Sequence, residues 1–168
     1  MIKMVLPTAE NKGGVLRFYE KMEKNGDECI GFKNRHDYER WLAEMTDRRD
    51  GKNLPQGYVR ENFYLCYDKN KLIGVFSLKF ELTSFLLNYG GHVGYAVTPE
   101  ERNKGYATEI FAEGKRLAKT FGFERLLATC DEDNVASERV IVKNGGILED
   151  KRFDDEENAF VKRFWVTL

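Results

Sequence analysis

The chain has 168 residues, of which 42% are apolar and 33% charged, and a formal net charge of −1. That length fits one domain with a sizeable core, and the composition excludes a disordered chain. A near-neutral balance supplies no general attraction to nucleic acid or to anionic membranes. Cys29, Cys66 and Cys130 are odd in number and widely spaced, which suits buried thiols better than a disulfide framework or a zinc site. Met1–Leu6 is too short for the apolar stretch of a secretion signal. No window reaches the roughly 18 apolar residues of a membrane span. The expectation is a cytoplasmic chain that holds no metal.

In chain order, Ile2–Leu6 reads as a first strand closed by Pro7. A helix to Lys24 follows, interrupted at Gly13-Gly14, and Asn25-Gly26-Asp27 breaks it. Asp37 is a good N-cap for a second helix, with Tyr38, Trp41, Leu42 and Met45 on one face. The run Asp47-Arg48-Arg49-Asp50 is most simply the solvated end of that helix, and Gly51–Asn62 is a loop. Phe63–Tyr67 and Leu72–Leu82 are β-rich runs joined by the hairpin signal Asp68-Lys69-Asn70-Lys71. Thr83–Asn88 reads as a connecting turn, and Gly90-Gly91 leads into the stretch that organises the rest.

That stretch is His92 to Thr120. His92–Val97 is β-branched enough for a strand, and Pro99 stops it. Arg102-Asn103-Lys104-Gly105-Tyr106-Ala107 is a cationic turn. Apolar residues then fall at Ala107, Ile110, Phe111, Leu117, Ala118 and Phe121, the spacing of an amphipathic helix that Gly122 ends. The first N–H groups of a helix lack internal acceptors and carry partial positive charge. Gly105 lets a phosphate approach the main chain, and Arg102 and Lys104 add full charges, so this turn is an anion site. Cations at a helix N-terminus are otherwise unfavourable, which also argues for an anionic ligand. The dinucleotide and nucleotide fingerprints G-x-G-x-x-G and G-x-x-x-x-G-K-S/T are both missing from the turn. Farther on, Arg125–Cys130 is a strand and Asn134 caps a helix ending at Gly145-Gly146. Ile147–Phe153 and Phe160–Val166 form a last hairpin around the acidic Asp154–Asn158 loop.

The turn Arg102-x-x-Gly105-x-Ala107, behind a strand that ends Val97-x-Pro99, resembles the R/Q-x-x-G-x-G/A turn of the GNAT (Gcn5-related N-acetyltransferase) superfamily. Asn134, Ser137, Val140, Lys143 and Gly145 resemble that family's N-x-x-A/S-x-x-L/V…G helix, in its order and at its separation. The resemblance implies an α/β (α+β) GNAT fold over residues 1–168 as a single domain. Its mixed central sheet would have about six to seven strands flanked by about four helices. It also implies transfer of the acetyl group of acetyl-CoA to a primary amine by direct attack, in a ternary complex. Arg102, Asn103, Lys104, Gly105, Tyr106, Ala107 and Thr108 would face the pyrophosphate. Tyr95, Ala96 and Val97 would pair with the pantetheine arm as an added strand, and the Val97 N–H would be the oxyanion donor. Asn134 reads both as an N-cap and as a cofactor ligand; Ser137 would touch the cofactor or let its helix pack close.

Two positions depart from the family pattern. Ile141 stands where many members carry a general-acid Tyr, and Gly91 where many carry a Glu. His92 is the nearest substitute base, with a competing reading as a histidine bonded to backbone and packed on the sheet. Glu81 and Tyr106 are further candidates, as is water alone. The acceptor, a small molecule or a peptide amine, would enter near Tyr58, Arg60, Glu61 and the Asp154–Glu157 cluster. An acidic loop there attracts cationic amines, or is only a solvated turn. Other classes that the turn permits are a non-catalytic acyl-CoA sensor and a nucleic-acid reader, the latter disfavoured by charge. No nucleic-acid or membrane partner is expected, and either a monomer or a homodimer is compatible.

Overall fold

The computed structural model describes residues 1–27, 30–32 and 37–168; Cys29 lies outside them. The described residues form seven strands and four helices in the expected order. These are β1 (Ile2–Val5), α1 (Lys12–Lys24), α2 (Tyr38–Asp50), β2 (Glu61–Asp68), β3 (Lys71–Lys79), β4 (Val93–Val97), α3 (Tyr106–Thr120), β5 (Arg125–Asp131), α4 (Val135–Lys143), β6 (Gly146–Asp154) and β7 (Ala159–Thr167). No helix among the described residues is long and apolar enough to cross a membrane.

Local chemistry sets the boundaries. Asp37 caps α2 by accepting the N–H of Arg40 at 2.9 Å, and Gly51 closes that helix in the left-handed conformation. Gly13 and Gly14 do not interrupt α1: they form its first turn, where Gly14 lies against Tyr67 and Leu72 of the β2–β3 hairpin. The connection expected at Thr83–Asn88 contains a wide helical turn over Leu86–Gly90.

The strands divide between two sheets, β1-β2-β3-β4 and β5-β7-β6, with every ladder antiparallel. One face of the first sheet packs on α1 and α2 through Phe63, Leu65, Val75, Trp41 and Phe18. The other face, with Phe76 and Leu78, shares a core with Ile110 and Phe111 of α3, Ile141 of α4 and Phe164 of β7. Helix α3 comes so close to β3 that a Cβ at Gly114 would run into the ring of Phe76.

Beyond the shared core, a backbone clasp joins the two sheets. The His92 N–H donates to the Leu127 carbonyl at 2.8 Å, and the Leu127 N–H donates to His92 Nδ1 at 2.8 Å. Gly91 precedes this clasp with φ +67°, and a Cβ there would sit 2.7 Å from the Leu127 carbonyl oxygen. Only glycine permits that approach. Beyond the clasp β4 is the edge of its sheet.

Candidate active site

The open edge of β4 is the first component. Antiparallel strands alternate residues that bond the partner with residues that point away. The Thr98 N–H donates to the Ile73 carbonyl of the β3 side at 3.0 Å, so by alternation Ala96 and Gly94 also face β3. Tyr95 and Val97 therefore turn their main-chain groups outward. The Val97 carbonyl confirms this sense, since it accepts Arg102 Nε at 3.1 Å.

The turn that follows is the second component. Pro99–Glu101 makes one tight helical turn, Asn103 has φ +61°, and Gly105 caps α3 at φ +86°. Nothing lies within 4 Å of where a Gly105 Cβ would be. The N–H groups of Tyr106, Ala107 and Thr108, in the first turn of α3, have no acceptors within the helix. Main-chain donors thus converge on open space.

The cations of the turn are already paired. Arg102 reaches Asp27 at 2.7 Å as well as Val97, and Lys104 reaches Glu101 at 3.0 Å. Glu101 also bonds Lys71, and the two lysines hold its carboxyl below the usual carboxylate range. The charge argument for an external anion is therefore corrected: carboxylates of the chain itself offset the unfavourable helix position. What favours a phosphate here is the backbone.

Tyr95 and the start of α4 form the far side. Tyr95 packs edge-on against Phe111 and its hydroxyl lies 2.7 Å from Ser137 Oγ. Burial pushes its pKa up to about 12. Asn134 acts as the cap of α4, accepting the Ser137 N–H at 3.0 Å. Tyr106 turns away toward the β2–β3 hairpin, donating to Asp68 at 2.8 Å. The Thr108 carbonyl is engaged by the buried Asn144 at 3.3 Å.

A strand edge running into a left-handed glycine and a helix start is the arrangement that the motif resemblance implied. In sequence, residues 10–147 match the family described as Acetyltransferase (GNAT) domain. The chain belongs to the GNAT acetyltransferase family. No curated protein sequence matches it. Among solved structures, the microcin C7 self-immunity acetyltransferase MccE, in complex with acetyl-CoA and AMP, is similar at TM-score 0.75 and 15% identity, over 99% of this chain and 92% of that one. The ribosomal-protein-S5-alanine acetyltransferase of Vibrio fischeri is similar at 0.74 and 17% identity, over 99% and 92%. RimL, the ribosomal L7/L12 α-N-protein acetyltransferase in complex with coenzyme A, gives 0.74 and 15%, over 99% and 94%. These identities speak to a shared fold.

The two departures of this GNAT chain have packing causes. Gly91 has no room for a side chain beside β5. Ile141 is fully buried in the core beneath Gly146, whose Cβ would stand 2.9 Å from the Ile141 carbonyl oxygen. His92 is not placed to act as a base. Its Nδ1 lone pair is taken by the Leu127 N–H, so the neutral ring carries its proton on Nε2. Burial, with Lys79 and Arg125 nearby, lowers its pKa to about 4. Glu81 is exposed at the end of the β3 connection.

On the α1/α2 face, next to Gly94, the GNAT chain holds a cavity of about 330 Å³. A Cβ on Gly94 would stand 3.1 Å from Ser77 Oγ and 3.7 Å from Ile30, both of which line that cavity. Of the anticipated acceptor residues, Tyr58 and Glu61 line it. Arg60 instead stacks on Phe80 at 3.8 Å. Asp154 is buried and holds its own hairpin turn by accepting the Glu156 N–H at 3.0 Å. The residues missed are Arg48 and Lys79. Arg48 is no solvated helix end: it reaches Glu61 at 3.1 Å and stacks over Tyr58 at 4.6 Å. Lys79 approaches the other Glu61 oxygen at 3.4 Å. Helix periodicity cannot signal pairings made across the fold, although a basic residue closing α2 on its buried side was a hint.

Proposed function

We propose that this GNAT acetyltransferase catalyses N-acetylation of a primary amine by direct transfer in a ternary complex. Bound acetyl-CoA supplies a thioester carbonyl to the amine. The observation that carries this reading is the unpaired β4 edge leading into Gly105 and the free N–H groups of α3. That edge and those donors fit an extended amide-bearing arm that ends in a pyrophosphate.

In this reading Tyr95 and Val97 pair with the arm, and Gly105 to Thr108 hold the phosphates through main-chain N–H groups. The Val97 N–H meets the negative charge that develops on the carbonyl oxygen, a preorganised donor of the kind that contributes most to such reactions. Arg102 fixes that donor by binding the Val97 carbonyl. The amine approaches from the cavity beside Gly94, and Glu61, the one carboxylate among the described residues that line it, faces the ammonium form. The proton lost from nitrogen leaves to water, and water returns one to the departing thiolate. His92 is a positioning residue: it joins β4 to β5 at one end of the strand.

Calorimetric titration with acetyl-CoA, followed by thiol release with a panel of amines, tests the assignment. Saturable binding and amine-dependent release of free thiol are expected. A folded protein that does not bind acetyl-CoA would refute it.

A further inference from the structure

The cavity beside Gly94 has a charge pattern that bears on which amine it takes. Among the described residues that line it are two cations, Arg48 and Lys79, and a single carboxylate, Glu61, so this described lining carries net positive charge. All three are withdrawn from solvent, with side-chain exposures of 17%, 23% and 9%, so their fields are weakly screened. Their bonds leave cationic donors to spare. Arg48 uses NH1 on Glu61, and Lys79 makes only long contacts of 3.4 Å to Glu61 and to Ser77. Ile30, Val59, Phe85 and Leu86 add apolar wall beside Tyr58 and Ser77.

The wall made by Phe85 and Leu86 is held from behind. Arg163, 2% exposed, donates to the Leu87 carbonyl at 2.9 Å and pairs with Glu149 and Asp150. Arg152 bonds Asn88 in the same turn. This braces the cavity at about 330 Å³, the lower end of small-molecule sites. A body of amino-acid size fits that volume.

We infer that the acceptor is an amine bearing a carboxylate and a compact apolar body, of the free amino acid class, with Lys79 and Arg48 binding the carboxylate. The inference rests on the acetyltransferase reading above. A charged group that finds its opposite in a desolvated cavity is selected, while one that meets like charge is rejected. Polyamines meet Arg48 and Lys79 with like charge, so the cavity disfavours them.

The test uses matched pairs that differ only in the carboxylate: phenylalanine against phenethylamine, leucine against isopentylamine, with spermidine as the polycation. Thiol release at saturating acetyl-CoA gives kcat/KM for each. The expected result is a preference of about tenfold or more for the carboxylated member of each pair, with spermidine poorest. Lys79→Gln should bring the ratio toward unity through KM of the carboxylated member. Equal or inverted ratios, or spermidine as the best acceptor, would overturn the inference. Should none of these amines turn over, titration of N-acetylphenylalanine and N-acetylphenethylamine in the presence of coenzyme A decides. Tighter binding of the carboxylated compound supports the inference, and equal or no binding removes it. Binding of acetyl-CoA without any carboxylate preference removes this inference alone. Failure of acetyl-CoA to bind removes the transferase reading as well.

Discussion

Gly105→Glu separates a phosphate cradle from an ordinary helix start. The residue sits at φ +86° with nothing within 4 Å of its Cβ position, so a side chain meets no clash and only the backbone is strained. A left-handed non-glycine residue costs about 1–2 kcal/mol, against a stability of about 5–15 kcal/mol for a domain, so the variant folds. A carboxylate about 4 Å from a phosphate, at an effective dielectric of about 20, is repelled by about 4 kcal/mol. That is a loss of about a thousandfold in affinity for acetyl-CoA. Gly105→Ala adds no charge but puts a Cβ where the phosphate approaches, so its Kd should rise by only about tenfold, far less than that of the Glu variant. Calorimetry at low salt measures both, with circular dichroism to confirm the fold. Raising ionic strength to about 1 M should recover part of the Glu loss by screening. The reasoning fails if the Glu variant binds within about tenfold of the wild type, or if Ala falls as far as Glu.

Other predictions address the surrounding structure. His92→Ala leaves the Leu127 N–H without its acceptor and should cost about 1–3 kcal/mol beyond the lost packing, whereas His92→Asn restores an acceptor and should recover part; urea unfolding measures each. The folded His92 has a pKa of about 4 against 6.5 for the ordinary group, so the unfolded chain binds the extra proton between those values. Stability from this group is therefore complete above about pH 6.5 and is lost as pH falls toward 4, on the order of 3 kcal/mol; His92→Asn should flatten that slope. Gly114→Ala forces a methyl into Phe76, and overpacking of about 1–3 kcal/mol should outweigh the gain of about 1 kcal/mol in helix propensity, seen as a lower Tm. Glu101→Gln removes the carboxylate shared by Lys71 and Lys104 and should tighten acetyl-CoA binding by about three- to tenfold at low salt, a gain that calorimetry should see fade as salt rises.

What was legible in the chain was local. Asp37 and Asn134 announced their caps, Gly122 its left-handed exit, and the spacing after Gly105 the buried stripe of α3, because each depends on residues within a turn or two. The partners of charges were not legible. Arg102 finds Asp27 across 75 positions, and Glu101 finds Lys71 across 30. An isolated reading of the turn therefore took compensated cations for free ones. The same limit hid Arg48 behind the appearance of a solvated helix end, and hid the wall at Phe85 and Leu86, whose position depends on the buried Arg163 of a distant strand.

The missing acid–base groups look different once the fold is in hand. Gly91 is required by the approach of two backbones, and Ile141 by the core under Gly146. Gly91 serves the clasp and Ile141 the core packing. His92 supplies the clasp itself, and in doing so gives up the lone pair that a base needs. The carboxylate that lines the cavity, Glu61, lies between two cations. In the proposed reading the cluster that receives the amine also selects it. Neutralising Glu61 should therefore disturb turnover and acceptor preference together, while replacing His92 should disturb stability first.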